Sequence, residues 1–231
     1  MCHSRGRASS APKHVAIIAD GNRRWAQARG LAARSGHEAG ADTLRARLND
    51  AIDLGFDQLT VFFLSTENWA RPASEVHGLI EILARHLQED ALELHRQGIL
   101  MRFIGRREGI PQHVLDLMGW AERLTKSNSG LTLFIAVNYG SRAEIVDAAL
   151  RYEGGGEDVV RSLLYAPDMH DPELVIRTGG EKRLSNFLLW QAANAQLVFR
   201  DELWPDFTRA ALEQALAEGT ARPKAAIEAS S

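Results

Sequence analysis

Short runs that are almost wholly apolar alternate along the chain with longer stretches in which apolar residues recur every three or four positions. The short runs are 15–18, 59–64, 100–104, 131–137, 174–176 and 197–199, rich in Val, Ile, Leu and Phe. Continuous apolar character over so few residues predicts strands buried on both faces, as in a parallel sheet. In the stretch 36–54, Ala39, Leu44, Leu48, Ala51 and Ile52 keep a helical spacing that Gly55 ends. In 75–96, Val76, Leu79, Ile80, Leu83, Leu87, Ala91 and Leu94 share one side of a long helix. Pro111 opens a helix over 111–126, and further helices are predicted over 142–152, 157–165, 186–193 and 208–217. Strand and helix alternate from one end to the other. The pattern therefore predicts an α/β fold, one parallel sheet covered by helices on both faces.

At 231 residues the chain has the length of one such domain rather than two. The domain is expected over 14–218, between a flexible tail over 1–13 and a second over 219–231, where the composition turns polar and alanine-rich. The net charge of −3 argues against nucleic acid as the main partner. Cys2 is the only cysteine, which excludes an internal disulfide framework and a cysteine-based zinc site. The histidines are scattered and include no His-Glu-x-x-His. No apolar run reaches the roughly 20 residues of a transmembrane helix. The basic start of the chain lacks the apolar centre of a secretory signal, so a cytoplasmic protein without a transmembrane anchor is expected.

The polar chemistry collects just beyond the strands. His14 to Trp25 reads as a buried strand, a glycine turn at Gly21-Asn22 and a helix start. Such a turn points free backbone N–H groups at an anion. Asp20 stands at the strand's carboxyl end, where open α/β sheets bind ligands, and Arg23 and Arg24 add positive charge. A carboxylate beside arginines at an anion site fits a phosphate with Mg²⁺. The same pattern also fits Asp20 as a helix N-cap beside solvated arginines. Three further polar clusters follow strands: Ser65 to Arg71, Asn138 to Arg142, and Arg177 to Ser185. In a parallel sheet all of these emerge on one edge. Arg177, Lys182 and Arg183 with Gly179, Gly180 and Ser185 read either as a second phosphate cradle or as a solvated basic loop. Two cradles beside a long apolar helix suit a protein that handles two phosphorylated, apolar molecules. No Walker A pattern and no Gly-x-Gly-x-x-Gly follows any strand, which disfavours nucleotide folds.

Long motifs run through these clusters: Asp-Gly-Asn-Arg-Arg-Trp-Ala at 20–26, Gly-His-Glu-Ala-Gly at 36–40, Ser-Thr-Glu-Asn-Trp-Ala-Arg-Pro at 65–72, Asn-Tyr-Gly at 138–140, Ile-Arg-Thr-Gly-Gly-Glu-Lys-Arg-Leu-Ser-Asn-Phe-Leu-Leu-Trp-Gln at 176–191 and Leu-Trp-Pro-Asp-Phe at 203–207. Through them the sequence resembles the cis-prenyltransferases, the family of undecaprenyl diphosphate synthase and short-chain Z-prenyl diphosphate synthases. The resemblance implies a single-domain parallel-sheet fold with a hydrophobic tunnel, a homodimer, and transfer of prenyl groups between an allylic diphosphate and a second isoprenoid diphosphate. By the same resemblance Asp20 holds Mg²⁺ against the allylic diphosphate. Gly21, Asn22, Arg23 and Arg24 bind that diphosphate, with Trp25, His37 and Arg71 beside it. Ser65, Asn68 and Trp69 line the reaction centre. Arg177, Arg183 and Ser185 bind the second diphosphate. Ionisation of an allylic C–O bond needs the developing negative charge stabilised, and the carbocation needs a water-poor pocket.

The sequence departs from the family's pattern at several positions. Gln196 stands where the family carries a glutamate that shares Mg²⁺ with the first aspartate, and an amide brings no charge. Ala33 replaces an arginine, the segment between Tyr152 and Asp168 is short, and the arginine-rich Arg-x-Gly ending is missing. A changed grip on the second diphosphate suits head-to-middle coupling of two allylic diphosphates, as in lavandulyl-type synthases. Regular head-to-tail extension with isopentenyl diphosphate is the alternative. A non-catalytic partner subunit is disfavoured, because such subunits lose the first aspartate motif. Phe63 stands where long-chain members carry a small residue, and Phe134 where many members carry asparagine. If both fill the tunnel, the product stops at about ten to fifteen carbons; if either ring faces the other side of the sheet, it sets no limit.

Overall fold

The computed structural model describes residues 12–221. Most of the N-terminal stretch and the end of the C-terminal stretch expected as tails lie outside the described residues. Six strands form one sheet: β1 (His14–Ile18), β2 (Gln58–Ser65), β3 (Leu100–Ile104), β4 (Thr132–Tyr139), β5 (Leu174–Arg177) and β6 (Gln196–Phe199), in the order β3-β4-β2-β1-β5-β6. Every pairing is parallel. The apolar runs thus became strands for the expected reason: flanked by layers on both faces, all five residues of β1 are buried. The helices are α1 (Asn22–Ala28), α2 (Ala33–Asp53), α3 (Ala73–Arg96), α4 (Gln112–Thr125), α5 (Ser141–Ala149), α6 (Glu157–Ser162) and α7 (Arg209–Ala221). Pro111 caps α4 from just outside it.

The two faces of the sheet are packed differently. One carries α2, α3, α4 and α7 over a large apolar cluster that includes Ile17, Val61, Leu83, Leu133 and Leu212. The other holds a smaller cluster of Ala16, Ile18, Phe134, Ala136, Tyr139, Met169, Phe187, Leu188 and Ala192. Phe187, Leu188 and Ala192 belong to the stretch expected as a helix over 186–193. It is a series of turns instead. Ser185 (φ 49°), Asn186 (φ 65°) and Leu188 (φ 45°) are left-handed, which no right-handed helix accommodates. The apolar spacing there serves burial against the sheet rather than a helical face. At the other end, α7 continues past the expected stop at 217 to Ala221. Its Gly219 lies so close to β5 that a Cβ would come within 2.7 Å of Leu174.

The pairing of β2 with β4 is irregular near its end, with two successive shifts, the second between Leu64 and Ser65. The register of β2 against β4 shifts between Phe62 and Leu64, so Phe63 and Leu64 both join the helix-covered face while Phe62 stacks on Phe187 behind it.

Candidate active site

Because all six strands are parallel, Asp20, Ser65, Asn138 and Arg177 emerge on one edge of the sheet, around the junction of β1, β2 and β5. A cavity of about 840 Å³ opens there. Its polar mouth is lined by Asp20, Gly21, Asn22, Arg23, Arg24, His37, Ser65, Asn68, Arg71, Arg177, Arg183 and Ser185. Phe63 stands in the wall below the mouth, and the cavity continues between α2, α3 and the sheet past Leu83 and Leu87 to Leu94, Met101 and Leu133.

Local structure positions each group at the mouth. The end of β1 is pinned by Thr178, whose hydroxyl donates to the Asp20 carbonyl at 2.8 Å and accepts the Asp20 N–H at 3.0 Å. Gly21 follows with φ 117° and leads into α1; a Cβ there would strike Leu203 at 2.9 Å. Asp20 accepts from Arg177 Nη2 at 2.8 Å and pairs with Arg24 at 3.3 Å, while Arg24 also donates to the Gly179 carbonyl at 2.8 Å. The two expected cradles are therefore one charged cluster with the carboxylate between its arginines. Ser65 and Asn68 form a reciprocal cap: the Asn68 N–H donates to Ser65 Oγ at 3.2 Å and the Ser65 N–H donates to Asn68 Oδ1 at 3.0 Å.

Arg177 is the most buried cation of the mouth, 4% exposed. Its Nη1 donates to Ser185 Oγ at 2.6 Å and to the Arg183 carbonyl at 2.7 Å, and its Nε has no protein partner. His37 Nε2 and Asn22 Oδ1 are likewise buried without a partner beside the first cradle. The Arg177 Nε–H is a donor that an oxyanion would satisfy, as is His37 Nε2 in the tautomer that carries its proton there, whereas Asn22 Oδ1 is an acceptor and calls for a donor. Burial, reinforced by the cations Arg71 and Arg23, holds the His37 imidazole below its ordinary range, so it is neutral at pH 7.

Four expected residues, Trp25, Trp69, Lys182 and Phe134, stand outside the cavity. Trp25 turns to the outer side of α1, donating from Nε1 to Asp206 at 2.7 Å, with the Arg29 guanidinium 4.1 Å from its ring centre. Trp69 is exposed, lies against Gly109 and donates to Asn138 Oδ1 at 2.6 Å. Phe134 packs on the back face, 6.4 Å from the His14 ring, and so cannot fill the tunnel. Gln196 begins β6 opposite Leu174, whereas Asp20 lies beyond the level of Arg177 and Phe199. Three residues of strand, about 10 Å, separate those levels, so within one chain Gln196 cannot share a metal with Asp20. Glu67 and Asn186 also line the mouth; they lie inside the motifs at 65–72 and 176–191, but residue type alone gives them no role there.

Among the described residues no three His, Cys, Asp or Glu side chains gather as a metal site. A single carboxylate with diphosphate oxygens nevertheless matches the usual way Mg²⁺ is held, and Asp20 is so placed.

Such an edge, with anion-binding groups above a deep and mostly apolar cavity that Arg45, His86 and Asp90 also line, is that of an enzyme that transfers prenyl groups. The chain belongs to the cis-prenyltransferase, or undecaprenyl diphosphate synthase-like, family: residues 18–225 match the family model described as "Putative undecaprenyl diphosphate synthase". It is 48% identical to Isoprenyl transferase 2 of Bradyrhizobium diazoefficiens, over 94% of this chain and 90% of that protein. It is 45% identical to the isoprenyl transferase of Thermotoga maritima, over 86% of this chain and 89% of that one. The fold superposes with a TM-score of 0.90 on lavandulyl diphosphate synthase of Lavandula x intermedia in complex with dimethylallyl diphosphate, at 35% identity over 93% of this chain and 98% of that one. No helix among the described residues is long and apolar enough to cross a membrane.

Proposed function

We propose that the enzyme extends an allylic diphosphate head to tail with isopentenyl diphosphate, as a homodimer, and that its products exceed fifteen carbons. The observation that carries this reading is the cavity, continuous from Asp20 to Leu94. From Leu79 to Leu94 on α3 the rise is about 22 Å. An extended isoprene unit has four chain bonds and spans about 5 Å, scaled from the ~3.6 Å of three backbone bonds. The cavity therefore has room for about four or five units, by the same lengths. Phe63 narrows its upper part without flooring it.

The allylic diphosphate sits over Gly21, the N–H groups of α1, Arg23 and Arg24, with its chain down the cavity. Its C1–O bond breaks and the electron pair leaves with pyrophosphate, whose growing charge these groups stabilise. Mg²⁺ held by Asp20 would neutralise the same oxygens. The Arg177 Nε–H, Arg183 and Ser185 hold the second diphosphate. The double bond of its chain attacks C1, a C–C bond forms, and one proton is released. Apolar walls below Ser65 keep water from the cation.

Head-to-middle coupling of two allylic diphosphates is the second reading, favoured by the likeness to lavandulyl diphosphate synthase. Its sequence argument from Gln196 loses force, because that residue lies at the far edge of the sheet. Incubation with dimethylallyl diphosphate alone, then with geranyl or isopentenyl diphosphate, tests both. Linear products above fifteen carbons that require isopentenyl diphosphate are expected. A branched skeleton made without isopentenyl diphosphate, or a strict ten- to fifteen-carbon product, would overturn the proposal.

A further inference from the structure

Three strand-end loops meet at a single point of the cavity mouth. Asn186, next to Ser185 of the second cradle, is its hub. Its Nδ2 donates to Glu67 Oε1 at 2.8 Å, its Oδ1 accepts the Arg142 N–H at 2.8 Å, and its carbonyl accepts the Ser141 N–H at 2.8 Å. Glu67 lies in the 3-10 turn Thr66–Ala70, directly between Ser65 and Asn68 of the reaction centre. The packing at this point is close: a Cβ on Gly140 would come within 2.5 Å of Thr66 Oγ1 and 2.6 Å of Asn186 Nδ2. Burial raises the Glu67 pKa, but hydrogen bonds from Asn186, its own backbone, Thr66 and Ser65 outweigh it, and the carboxyl is held below its ordinary range. The segment it grips has no helix of its own and carries the left-handed Ser185, Asn186 and Leu188. Such a backbone persists only where its surroundings over-determine it.

From this junction we infer that Glu67 is a positioning residue: through Asn186 it sets the second-diphosphate loop against the Ser65–Asn68 reaction centre. The inference rests on the proposed two-substrate reaction, because two bound reactants gain from a fixed separation. A misplacement of 1 Å can cost about a hundredfold in rate. The brace touches neither cradle's cations, so it acts on turnover more than on affinity.

The bond's direction can be reversed, which supplies the test. In Glu67→Ala the acceptor is lost. In Asn186→Asp two carboxylates face each other. In Glu67→Gln/Asn186→Asp the new amide donates to the new carboxylate, whose second oxygen still accepts the Arg142 N–H. Kinetics with dimethylallyl and isopentenyl diphosphates should show kcat down about ten- to a hundredfold in both single variants, with each KM within about threefold, and largely recovered in the double variant. Amide hydrogen exchange over 183–190 should be faster in the single variants and restored in the double. Exchange unchanged in Glu67→Ala would overturn the brace, whatever the activity. Altered exchange with wild-type kcat would overturn its positioning role. A wild-type protein that transfers no prenyl group would instead sink the proposed function, while exchange still reads the brace.

Discussion

Asp20 answers to two arginines, Arg177 at 2.8 Å and Arg24 at 3.3 Å. Its carboxylate compensates the nearly buried Arg177 guanidinium, and in the proposed reaction it would supply a hard oxygen donor for Mg²⁺. Asp20→Ala removes both services. Turnover should fall at least about a thousandfold, about 4 kcal/mol in the barrier. Stability should fall only about 1–2 kcal/mol, since the carboxylate is part-exposed and Arg177 keeps Ser185 and the Arg183 carbonyl. Single-turnover assays with Mg²⁺ and urea unfolding read the two effects, and a variant retaining a tenth of wild-type turnover would refute the assignment. The residue types needed here were legible, because Asp-Gly-Asn-Arg-Arg after an apolar run has a direct chemical reading. The directions of Trp25 and Trp69 were not. Their partners, Asp206 and Asn138, are 181 and 69 positions away.

At the scale of elements, α3 does two jobs with one apolar face. Val76, Ile80 and Ala84 pack into the core, while Leu79, Leu83, Leu87 and Leu94 also wall the cavity. In the proposed reaction, depth along α3 converts to product length. Leu87 lies about 12 Å below Leu79, the length of two to three isoprene units. Leu87→Trp should therefore cap the product at about ten to fifteen carbons. Phe134→Ala, on the back face, should leave the product unchanged at a cost of about 3–5 kcal/mol in stability. Chromatography of the dephosphorylated alcohols checks both. Unchanged lengths in Leu87→Trp would mean the chain does not run along α3. Of the two rings expected in the tunnel, the one that lines the cavity, Phe63, gets there by the register shift in β2, a pairing feature invisible in the run 59–64.

At the scale of the whole molecule, stability should fall in acid through His14. It is fully buried at the start of β1, and its ring takes the tautomer that donates from Nδ1 to the His170 carbonyl at 2.6 Å and accepts the Thr60 hydroxyl at Nε2, 2.8 Å away. Burial pushes its pKa down from 6.5 to about 4; the hydrogen bond to the His170 carbonyl opposes this, the charge of the His170 ring lowers it further, and Asp171 raises it. The unfolded chain thus binds the proton more tightly. The stabilisation is full above pH 6.5, shrinks as pH falls and is lost by about pH 4, with about 2 kcal/mol gone at pH 5. His37, also lowered, acts in the same direction. Urea unfolding at pH 7.5 and pH 5 should show a smaller drop for His14→Asn than for wild type; equal drops would rule His14 out as a source.

The sequence by itself determined the alternation of strand and helix, and with it a parallel sheet whose polar loops converge on one edge. Both follow from local period and from the requirement that buried strands be apolar on both sides. It also carried the charged groups of that edge, because anion chemistry needs particular side chains. Tertiary structure alone decided that 186–193 is turns pinned by Ser141, Arg142 and Glu67 rather than a helix, that Phe134 faces away from the cavity, and that Gln196 sits at the far edge. It alone set the depth of the cavity. Each of these depends on which distant residue lies opposite, through a register, a face or a gap between helices, and a pattern read along one chain holds no record of its partners.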